Sequence, residues 1–373
     1  MKTRLILICV ISSLLALIMV FGVIAAGEQF NQEVMSDQTT WLGQIAESKY
    51  LTDPPAIGLV TEVGGLADKG YNWLSYQGLL QAENDFGVVG TVYTPTSSAD
   101  YEYELQQCVN EGNELCISVG FTMAGATMNV AANNPGTKFA ILDHEWESYP
   151  GNLRGVRFAE DEVGYMAGTL AGLMTESDVV GDIGGPSFVP AVVSFVEGYR
   201  NGAQCANPAV NVLLKYTDAF DDPDQGAVVA QEMMAQDADV IFAAAGQTGW
   251  GSVITATQSS VWGIGVDTDM YLNVFEEGGL EGSDKLLSSA MKRLDNAVYA
   301  TISDVVNQTF NSGTVLYDLG DEGVGLAPYH ETDSFVSQDV RNALESVRQG
   351  IINQTIDISD PCRKYIYLPL IFK

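Results

Sequence analysis

The sequence predicts an α/β protein made of two lobes of similar design, each a parallel sheet covered by helices on both faces. Apolar runs begin near Ile57, Val88, Leu115 and Lys138, and a second series begins near Val179, Val210, Ala238 and Trp262. The starts are 31, 27 and 23 residues apart in the first series and 31, 28 and 24 in the second. Intervals of this length can hold the crossover helix that parallel strands require. Uninterrupted apolar strands are typical of sheets that are buried on both faces.

The predicted elements divide between two lobes that the chain visits in turn. Residues 161–175 are a strong helix candidate whose glycines and alanines permit close packing, and the chain is expected to return to the first lobe near Gly313. A cleft between such lobes is a natural site for a small molecule, because ligands of open α/β sheets bind beyond the carboxyl ends of the strands. The predicted boundaries are 56–176 plus 310–352 for lobe 1 and 177–309 for lobe 2.

The two ends of the chain are predicted to lie outside the lobes. Residues 1–27 combine a basic start, a long uncharged apolar run and small residues, as a secretory signal peptide does. The run is also long enough, at ~20 residues, to remain as an N-terminal membrane anchor. Both interpretations place the protein in the periplasm or on the outer face of the cytoplasmic membrane. Residues 28–55 are predicted to be a polar spacer, and residues 353–373 a C-terminal tail without an assigned role.

Four cysteines follow the apolar start, namely Cys108, Cys116, Cys205 and Cys362. An even number in an exported chain suggests disulfides, and four cysteines allow three connectivities. We favour Cys108–Cys116, which would close a short loop between a helix and a strand, and Cys205–Cys362, which would fix the tail. Four free buried thiols are the alternative. The absence of a C-x-x-C spacing in the sequence gives no support to zinc or redox chemistry.

Composition and motifs argue against most chemical functions. With 17 Lys and Arg against 48 Asp and Glu, the formal net charge is −31, which speaks against nucleic acid and against an anionic membrane surface as partners. The two histidines, His144 and His330, are too few for a histidine-rich metal site. The sequence has no phosphate-binding loop, no G-x-G-x-x-G after a strand and no G-x-S-x-G elbow. We therefore expect no enzyme, no cofactor and no metal, and we interpret acidic runs such as residues 160–162 as solvated faces or turns.

Polar and aromatic residues that follow the predicted strands are suited to binding a ligand. Asp68 can cap the first helix, Tyr71 offers an aromatic face, and Asn72 can both donate and accept hydrogen bonds. Asp267 can accept two hydroxyl hydrogens of a sugar, and Lys292 is expected to pair with Asp267 or with a ribose oxygen. The alternatives are purely structural: a helix cap, a core aromatic or a surface charge. The predicted ligand-binding residues are Glu62, Asp68, Tyr71, Asn72, Asp143, Gly246, Trp250, Asp267 and Lys292.

Five short segments, in order along the chain, carry a resemblance to a known family. They are T-E-V-G-G-L-A-D-K-G-Y-N at 61–72, A-A-G-Q-T-G at 244–249, G-V-D-T-D at 265–269, M-K-R-L-D at 291–295 and G-V-G-L-A-P-Y at 323–329. These segments resemble the basic membrane protein (BMP) family, the purine nucleoside receptor A-like (PnrA-like) substrate-binding proteins of bacterial ABC importers. The similarity runs from about residue 55 to residue 350.

The resemblance implies a type I periplasmic-binding-protein fold, with two Rossmann-like lobes that close on a nucleoside, a purine being favoured, without catalysis. Tyr71 would then stack on the base, Asn72 with Glu62 would read its polar edge, and Asp267 with Lys292 would hold the ribose. The implied partners are an ABC permease and its ATPase, and we expect a monomer.

Four positions depart from the family pattern and leave other ligands open. Glu62 stands for an aspartate, Tyr71 for a phenylalanine, Gly70 for a serine and Gln247 for a glycine. The longer Glu62 requires a displaced base or another ligand, and the Tyr71 hydroxyl requires a partner. The alternatives are a receptor for a sugar or another small polar solute, a hydrolase on the same scaffold, and a surface adhesion or sensory protein.

Overall fold

Two six-stranded sheets form the framework of the protein, of which a computed structural model describes residues 54–359. The strands of the first sheet are β1 (Ala56–Val60), β2 (Val89–Tyr93), β3 (Leu115–Ser118), β4 (Lys138–Leu142), β5 (Leu153–Phe158) and β11 (Gly313–Tyr317). They lie in the order β2-β1-β3-β4-β5-β11, and all neighbours are parallel. The central strands β1, β3 and β4 are buried almost throughout, because helices cover both faces.

The second sheet repeats the strand order of the first. Its strands are β6 (Val179–Gly184), β7 (Asn211–Tyr216), β8 (Val240–Ala244), β9 (Trp262–Asp267), β10 (Leu286–Lys292) and β12 (Val324–Leu326). They lie in the order β7-β6-β8-β9-β10-β12, and only β12 is antiparallel to its neighbour. The predicted strand starts agree with the observed ones to within two residues. The two-lobed parallel α/β fold predicted from the sequence is therefore confirmed.

Helices connect the strands within each sheet and carry the chain between the sheets. They are α1 (Tyr71–Phe86), α2 (Tyr101–Asn110), α3 (Ala124–Asn133), α4 (Glu160–Met174), α5 (Pro190–Ala206), α6 (Pro223–Met234), α7 (Gly246–Gln258), α8 (Met270–Asn273), α9 (Leu294–Val306) and α10 (Gln338–Ile352). Helices α1, α5 and α7 begin just beyond strand ends, so their first turns lie near the cleft between the lobes.

The chain passes from one lobe to the other at residues that differ from the predicted lobe boundaries. Helix α4 packs against α5, β10 and β12 and so covers the second sheet, although it precedes the predicted boundary at residue 177. Helix α9 packs against α1 of the first lobe, and β12 joins the second sheet within the interval 310–352. The predicted boundaries follow the strand rhythm, whereas in the structure each crossing helix already packs on the lobe that the chain is about to enter.

Helices α4 and α5 cross with their backbones in contact. A Cβ atom at Gly168 would overlap the backbone carbonyl oxygen of Tyr199, and a Cβ atom at Gly202 would overlap that of Tyr165. Three further glycines approach the opposite backbone in the same way: Gly164, Gly172 and Gly198. The small residues of α4 therefore have the packing role that the sequence indicates.

We expect Gly168→Ala to lower the free energy of unfolding by about 2 kcal/mol, because the added methyl group forces the two helices apart. In an unhindered helix the same change would be stabilising. Gly125→Ala in α3 is the matched control, since no atom lies within 4 Å of a Cβ there, and it should gain about 0.5 kcal/mol. Urea denaturation of both variants measures the difference, and equal effects would contradict the backbone contact.

One disulfide joins two described cysteines. Cys108 of α2 is bonded to Cys116 of β3, which is the pairing favoured from the sequence. Cys205 is also disulfide-bonded, while its predicted partner Cys362 lies outside the described residues.

The predicted signal peptide or anchor, nearly all of the spacer and most of the tail also lie outside residues 54–359. Within those residues, the structure has no helix with the length and apolar character needed to cross a membrane.

Candidate ligand-binding site

A cleft of about 510 Å³ opens at the carboxyl ends of the strands of both sheets. Each sheet contributes the point where its strand order reverses, beside β1 and β3 in the first and beside β6 and β8 in the second. Ligands of doubly wound folds bind at such points, and small-molecule sites typically measure about 300–1,000 Å³. All nine residues predicted from the sequence line this cleft: Glu62, Asp68, Tyr71, Asn72, Asp143, Gly246, Trp250, Asp267 and Lys292.

The start of α1 is organised by two side chains from the predicted set. Asp68 accepts hydrogen bonds from three backbone N–H groups, those of Gly70 (3.1 Å), Asn72 (2.7 Å) and Trp73 (3.1 Å). It is therefore a helix cap, which was the structural alternative for this residue. The buried Asn72 accepts a hydrogen bond at Oδ1 from the backbone N–H of Glu62, at 2.8 Å. Because its oxygen is used in this way, the NH₂ group of Asn72 is left for a ligand.

Glu62 lies where β1 ends and reaches toward the turn that follows β3. Its Oε1 accepts a hydrogen bond from the hydroxyl of Thr122, at 2.6 Å. Burial raises the pKa of Glu62, the hydrogen bond from Thr122 opposes that rise, and the charges of Asp143 and Asp68 add to it. A hydrogen-bond donor from a ligand would stabilise the ionised carboxylate in this place.

Lys292, at the end of β10, is the centre of a buried charge cluster. The side chain is 2% exposed, and its Nζ lies 2.6 Å from Asp143 Oδ2 and 3.0 Å from Glu160 Oε1. Burial disfavours the ammonium charge, but the carboxylates of Asp143, Glu160 and Asp267 outweigh this effect and hold the pKa of Lys292 well above its usual range. Lys292 therefore forms its ion pairs with Asp143 and Glu160. Asp267, one of the two partners that the sequence suggested beside a ribose oxygen, is not paired with it.

Glu160 corrects the interpretation of residues 160–162 as a solvated acidic run. Its side chain is 2% exposed and paired with Lys292, while Asp161 beside it is exposed. The three residues form the first turn of α4, and successive helical side chains point in directions about 100° apart. Glu160 is directed into the protein, and the partly buried Glu162 accepts a hydrogen bond from the backbone N–H of Leu319 at 3.0 Å. Only Asp161 of the three is exposed, so the acidic run itself gave no indication of the burial of Glu160.

Asp143 and Asp267 hold equivalent places in the two lobes, each directly after or at the end of a strand. Both have left-handed backbones, with φ of 61° and 62°, a conformation that aspartate tolerates better than most residues. Burial raises the pKa of Asp267 to about 6, with Lys292 opposing the shift and Asp143 and Asp68 adding to it. Burial therefore disfavours the charge that Asp267 would present to a ligand.

The aromatic wall of lobe 1 is Tyr71, at the first position of α1. Its ring centroid is 5.7 Å from the Nζ of Lys292, within the range of a cation–π contact. Its hydroxyl is buried and lies near the carboxylate of Asp143, whose Oδ1 has no other partner among the described residues. Burial, followed by the charge of Asp143 and a hydrogen bond to it, raises the pKa of Tyr71 well above its usual value. The hydroxyl can therefore donate to Asp143 or to a ligand atom.

Lobe 2 supplies an apolar wall that the predicted set lacks. It consists of Val189, Ala191, Val192, Phe195 and Phe220. Phe220 follows β7, and Asp267 likewise lies at the end of β9. The position of Phe220 after a strand could therefore have indicated that it lines the cleft. The valines and Phe195 lie at the start of α5, and apolar residues there cannot be told from core residues by sequence alone.

Three comparisons with known proteins agree with this architecture. Residues 57–361 match the Bmp family profile, described as "ABC transporter substrate-binding protein PnrA-like". A CD4+ T-cell-stimulating antigen of Listeria innocua is 30% identical, over 82% of this chain and 88% of its own. The ABC transporter nucleoside-binding protein BmpA of Lactococcus lactis is 29% identical, over 83% and 90%. The crystal structure of an ABC transporter solute-binding protein from Aeropyrum pernix has a TM-score of 0.71 at 25% identity, over 82% of this chain and 93% of that one.

The chain belongs to the Bmp family. The resemblance seen in the sequence is thus confirmed, and the two lobes are those of an ABC transporter substrate-binding protein. One departure from the family pattern has a structural counterpart in this Bmp protein. A Cβ atom at Gly70, where the pattern has a serine, would lie 3.4 Å from Cζ2 of Trp250 in lobe 2. This distance is an ordinary van der Waals contact, so the indole of Trp250 lies directly beside Gly70 at the entrance to α1.

Lys292→Met should lower the free energy of unfolding of this Bmp protein by about 3–5 kcal/mol, because it leaves Asp143 and Glu160 buried without a counter-charge. Lys69→Met is the control. Lys69 forms an exposed ion pair with Glu276 at 3.1 Å, and losing such a pair costs less than about 1 kcal/mol. Urea denaturation at pH 7 compares the two, and similar small losses would contradict the importance of the buried cluster.

Asp267→Asn should stabilise the ligand-free protein more at neutral pH than in acid. Between the ordinary aspartate value of 3.8 and the folded pKa of about 6, the folded state holds a proton that the unfolded chain has lost, so stability falls as pH rises. The asparagine lacks this penalty, and its advantage in unfolding free energy should grow from about 0.5 kcal/mol at pH 4 to about 3 kcal/mol at pH 7.5.

Denaturation curves of wild type and Asp267→Asn across this range measure the advantage. Asp284→Asn is the matched control at an exposed position, and its effect should stay within about 0.5 kcal/mol at every pH. An advantage for Asp267→Asn that is the same at pH 4 and pH 7.5 would contradict the assignment.

Proposed function

We propose that this Bmp-family protein binds a nucleoside, with a purine favoured, and delivers it to an ABC permease and its ATPase. The observation that carries the proposal is the set of groups that line one cleft. They are the aromatic ring of Tyr71, the amide of Asn72, the carboxylates of Glu62 and Asp267 and the ammonium of Lys292. A flat base joined to a sugar diol presents groups that are complementary to this set.

The base would lie between the two lobes. Tyr71 offers one face, and Phe220 in the wall of lobe 2 is our candidate for the other. Stacking of a base on an aromatic side chain contributes about 1–3 kcal/mol in nucleic-acid binders. The free NH₂ group of Asn72 and the carboxylate of Glu62 would read the polar edge. Together with the sugar contacts, these terms are sufficient for micromolar binding, about −8 kcal/mol.

The ribose would be held by Asp267, which can accept both of its vicinal hydroxyl hydrogens, with Lys292 nearby as a donor. The ionised form of Asp267 would be more stable with a bound ribose than without one. Burial disfavours the ionised form of Asp267 and raises its pKa to about 6, and two hydroxyl donors would stabilise its charge.

The charge of the lining favours a neutral ligand over a phosphorylated one. Among the residues that line the cleft, five are acidic, namely Glu62, Asp68, Asp143, Asp221 and Asp267, and only Lys292 is basic. Lys292 is already paired with two carboxylates. A phosphate would therefore enter a negative field without a free cation to bind it.

Lobe closure would exclude water from these hydrogen bonds and strengthen them. Contacts that join the lobes lie on more than one side of the cleft. Phe121 after β3 packs with Val189 and Val192 of lobe 2, and Lys69 pairs with Glu276. We propose that such contacts form as the ligand is enclosed and break when it is released to the permease.

Binding without catalysis is part of the proposal. Neither histidine lines the cleft: His144 packs edge-on against Trp146, and His330 lies 2.7 Å from Asp269. The lining therefore lacks the imidazole of a Ser-His-Asp arrangement. We further propose that the protein acts as a monomer on the outer face of the cytoplasmic membrane or in the periplasm, consistent with the apolar segment at its start.

Isothermal titration with guanosine, inosine, adenosine, cytidine, uridine and ribose tests the proposal. We expect saturable binding of a purine nucleoside, weakened at least tenfold by Tyr71→Ala and by Asp267→Asn. Tyr103→Ala is the control, because Tyr103 is 62% exposed and does not line the cleft. Binding of ribose regardless of the base would support the sugar-receptor alternative. Folded protein that gives no heat with any of the six compounds would overturn nucleoside binding.

A further inference from the structure

We propose that Thr122 is a positioning residue for base recognition, holding one oxygen of Glu62 so that the other faces the ligand. The inference rests on the proposed nucleoside function and goes beyond it, because Thr122 is not among the residues that line the cleft. It lies in the turn between β3 and α3, and β3 is the neighbour of β1 in the sheet. Thr122 and Glu62 thus meet where the strand order of lobe 1 reverses.

The hydrogen bond from Thr122 is placed to orient the carboxylate. Thr122 Oγ1 lies 2.6 Å from Glu62 Oε1, a short distance typical of a hydroxyl donating to a charged acceptor. The hydroxyl of Tyr101 lies 3.3 Å from the same Oγ1. The Tyr101 hydroxyl is thus a second acceptor within reach of Thr122, and the Glu62 carboxylate is the nearer of the two. The backbone N–H of Thr122 also hydrogen-bonds the Glu62 carboxylate, and no side chain among the described residues donates to its second oxygen, Oε2.

Gly120 fixes the path of the Glu62 side chain from the other side. A Cβ atom at Gly120 would overlap Glu62 Oε1 and lie 2.7 Å from its Cδ. Gly120 also has a φ of 106°, which only glycine adopts readily. The longer glutamate, which stands where the family pattern has an aspartate, therefore passes over a position without a side chain and ends at the hydroxyl of Thr122.

The result is a fixed donor–acceptor pair at the edge of the base site. Asn72 is held by its Oδ1, which accepts from the backbone N–H of Glu62, and this leaves its NH₂ group to donate. Glu62 is held by its Oε1, which leaves Oε2 to accept. Guanine and hypoxanthine present an N1–H donor beside the O6 acceptor and match this pair. Blocking N1–H with a methyl group should therefore remove the contact that Thr122 supports.

The test compares guanosine with 1-methylguanosine by titration calorimetry on wild type, Thr122→Val and Thr122→Ser. Wild type should prefer guanosine at least tenfold. The valine variant should bind guanosine about tenfold more weakly and lose most of this preference, and serine should restore it. Thr96→Val is the matched control, because Thr96 also donates to a carboxylate, that of Asp100 at 2.7 Å, away from the cleft. It should change neither affinity nor preference.

A second readout separates positioning from general stability. The hydrogen bond from Thr122 lowers the pKa of Glu62, while burial, Asp143 and Asp68 raise it. The pKa of Glu62, followed by carboxyl carbon NMR in the ligand-free protein, should therefore rise in Thr122→Val and not in Thr122→Ser. The lower limit of the pH range for guanosine binding should move upward in the valine variant.

The outcomes distinguish this inference from the proposed function. If wild type binds no nucleoside, both fail, and the failure is seen before any variant is compared. If wild type binds guanosine but Thr122→Val keeps the same preference over 1-methylguanosine, the role of Thr122 is overturned and nucleoside binding stands. An unchanged Glu62 pKa in Thr122→Val would overturn the positioning itself.

Discussion

The buried ammonium group of Lys292 connects the three parts of the chain that meet at the cleft. Its partners are Asp143 after β4 in lobe 1 and Glu160 at the start of the crossing helix α4, while Lys292 itself ends β10 in lobe 2. A buried charge that loses its partner is costly by several kcal/mol. The relative placement of these three elements is therefore constrained, and with it the shape of the cleft floor.

The same constraint explains the composition of α4. Glu160 can reach Lys292 only if α4 lies close to the second sheet. Helix α5 packs directly against α4. The contact between Gly168 and the backbone of Tyr199 allows this close approach. A larger residue would move the helix and, with it, the carboxylate at its first position. The glycines of α4 and the ion pair of Glu160 thus both depend on the same position of α4, although they lie at different turns of the helix.

Local periodicity was sufficient to predict the strands, because buried parallel strands and their crossover helices repeat at short and regular intervals. The position of the nine predicted residues in the cleft lining was also predictable, since each lies at a strand end or in the first turns beyond one. The partners of Lys292 were not. Whether Glu160 or Asp161 is buried depends on which side of a helix faces a strand more than a hundred residues away. The lobe boundaries and the apolar wall at Phe220 likewise depend on contacts between distant elements, which strand rhythm does not encode.

Two of the residues that depart from the family pattern each contact a residue from another element. Gly70 lacks a side chain where Trp250 of the opposite lobe approaches it. Glu62 is longer than the aspartate of the pattern, and the extra length is accommodated by the bare Gly120 and used by the hydroxyl of Thr122. In each case the first residue of the pair lies in segment 61–72, which resembles the family pattern, and its partner comes from another part of the chain. If Glu62 reads the ligand as proposed, the ligand preference depends on residues outside segment 61–72, because those residues decide where the Glu62 carboxylate points.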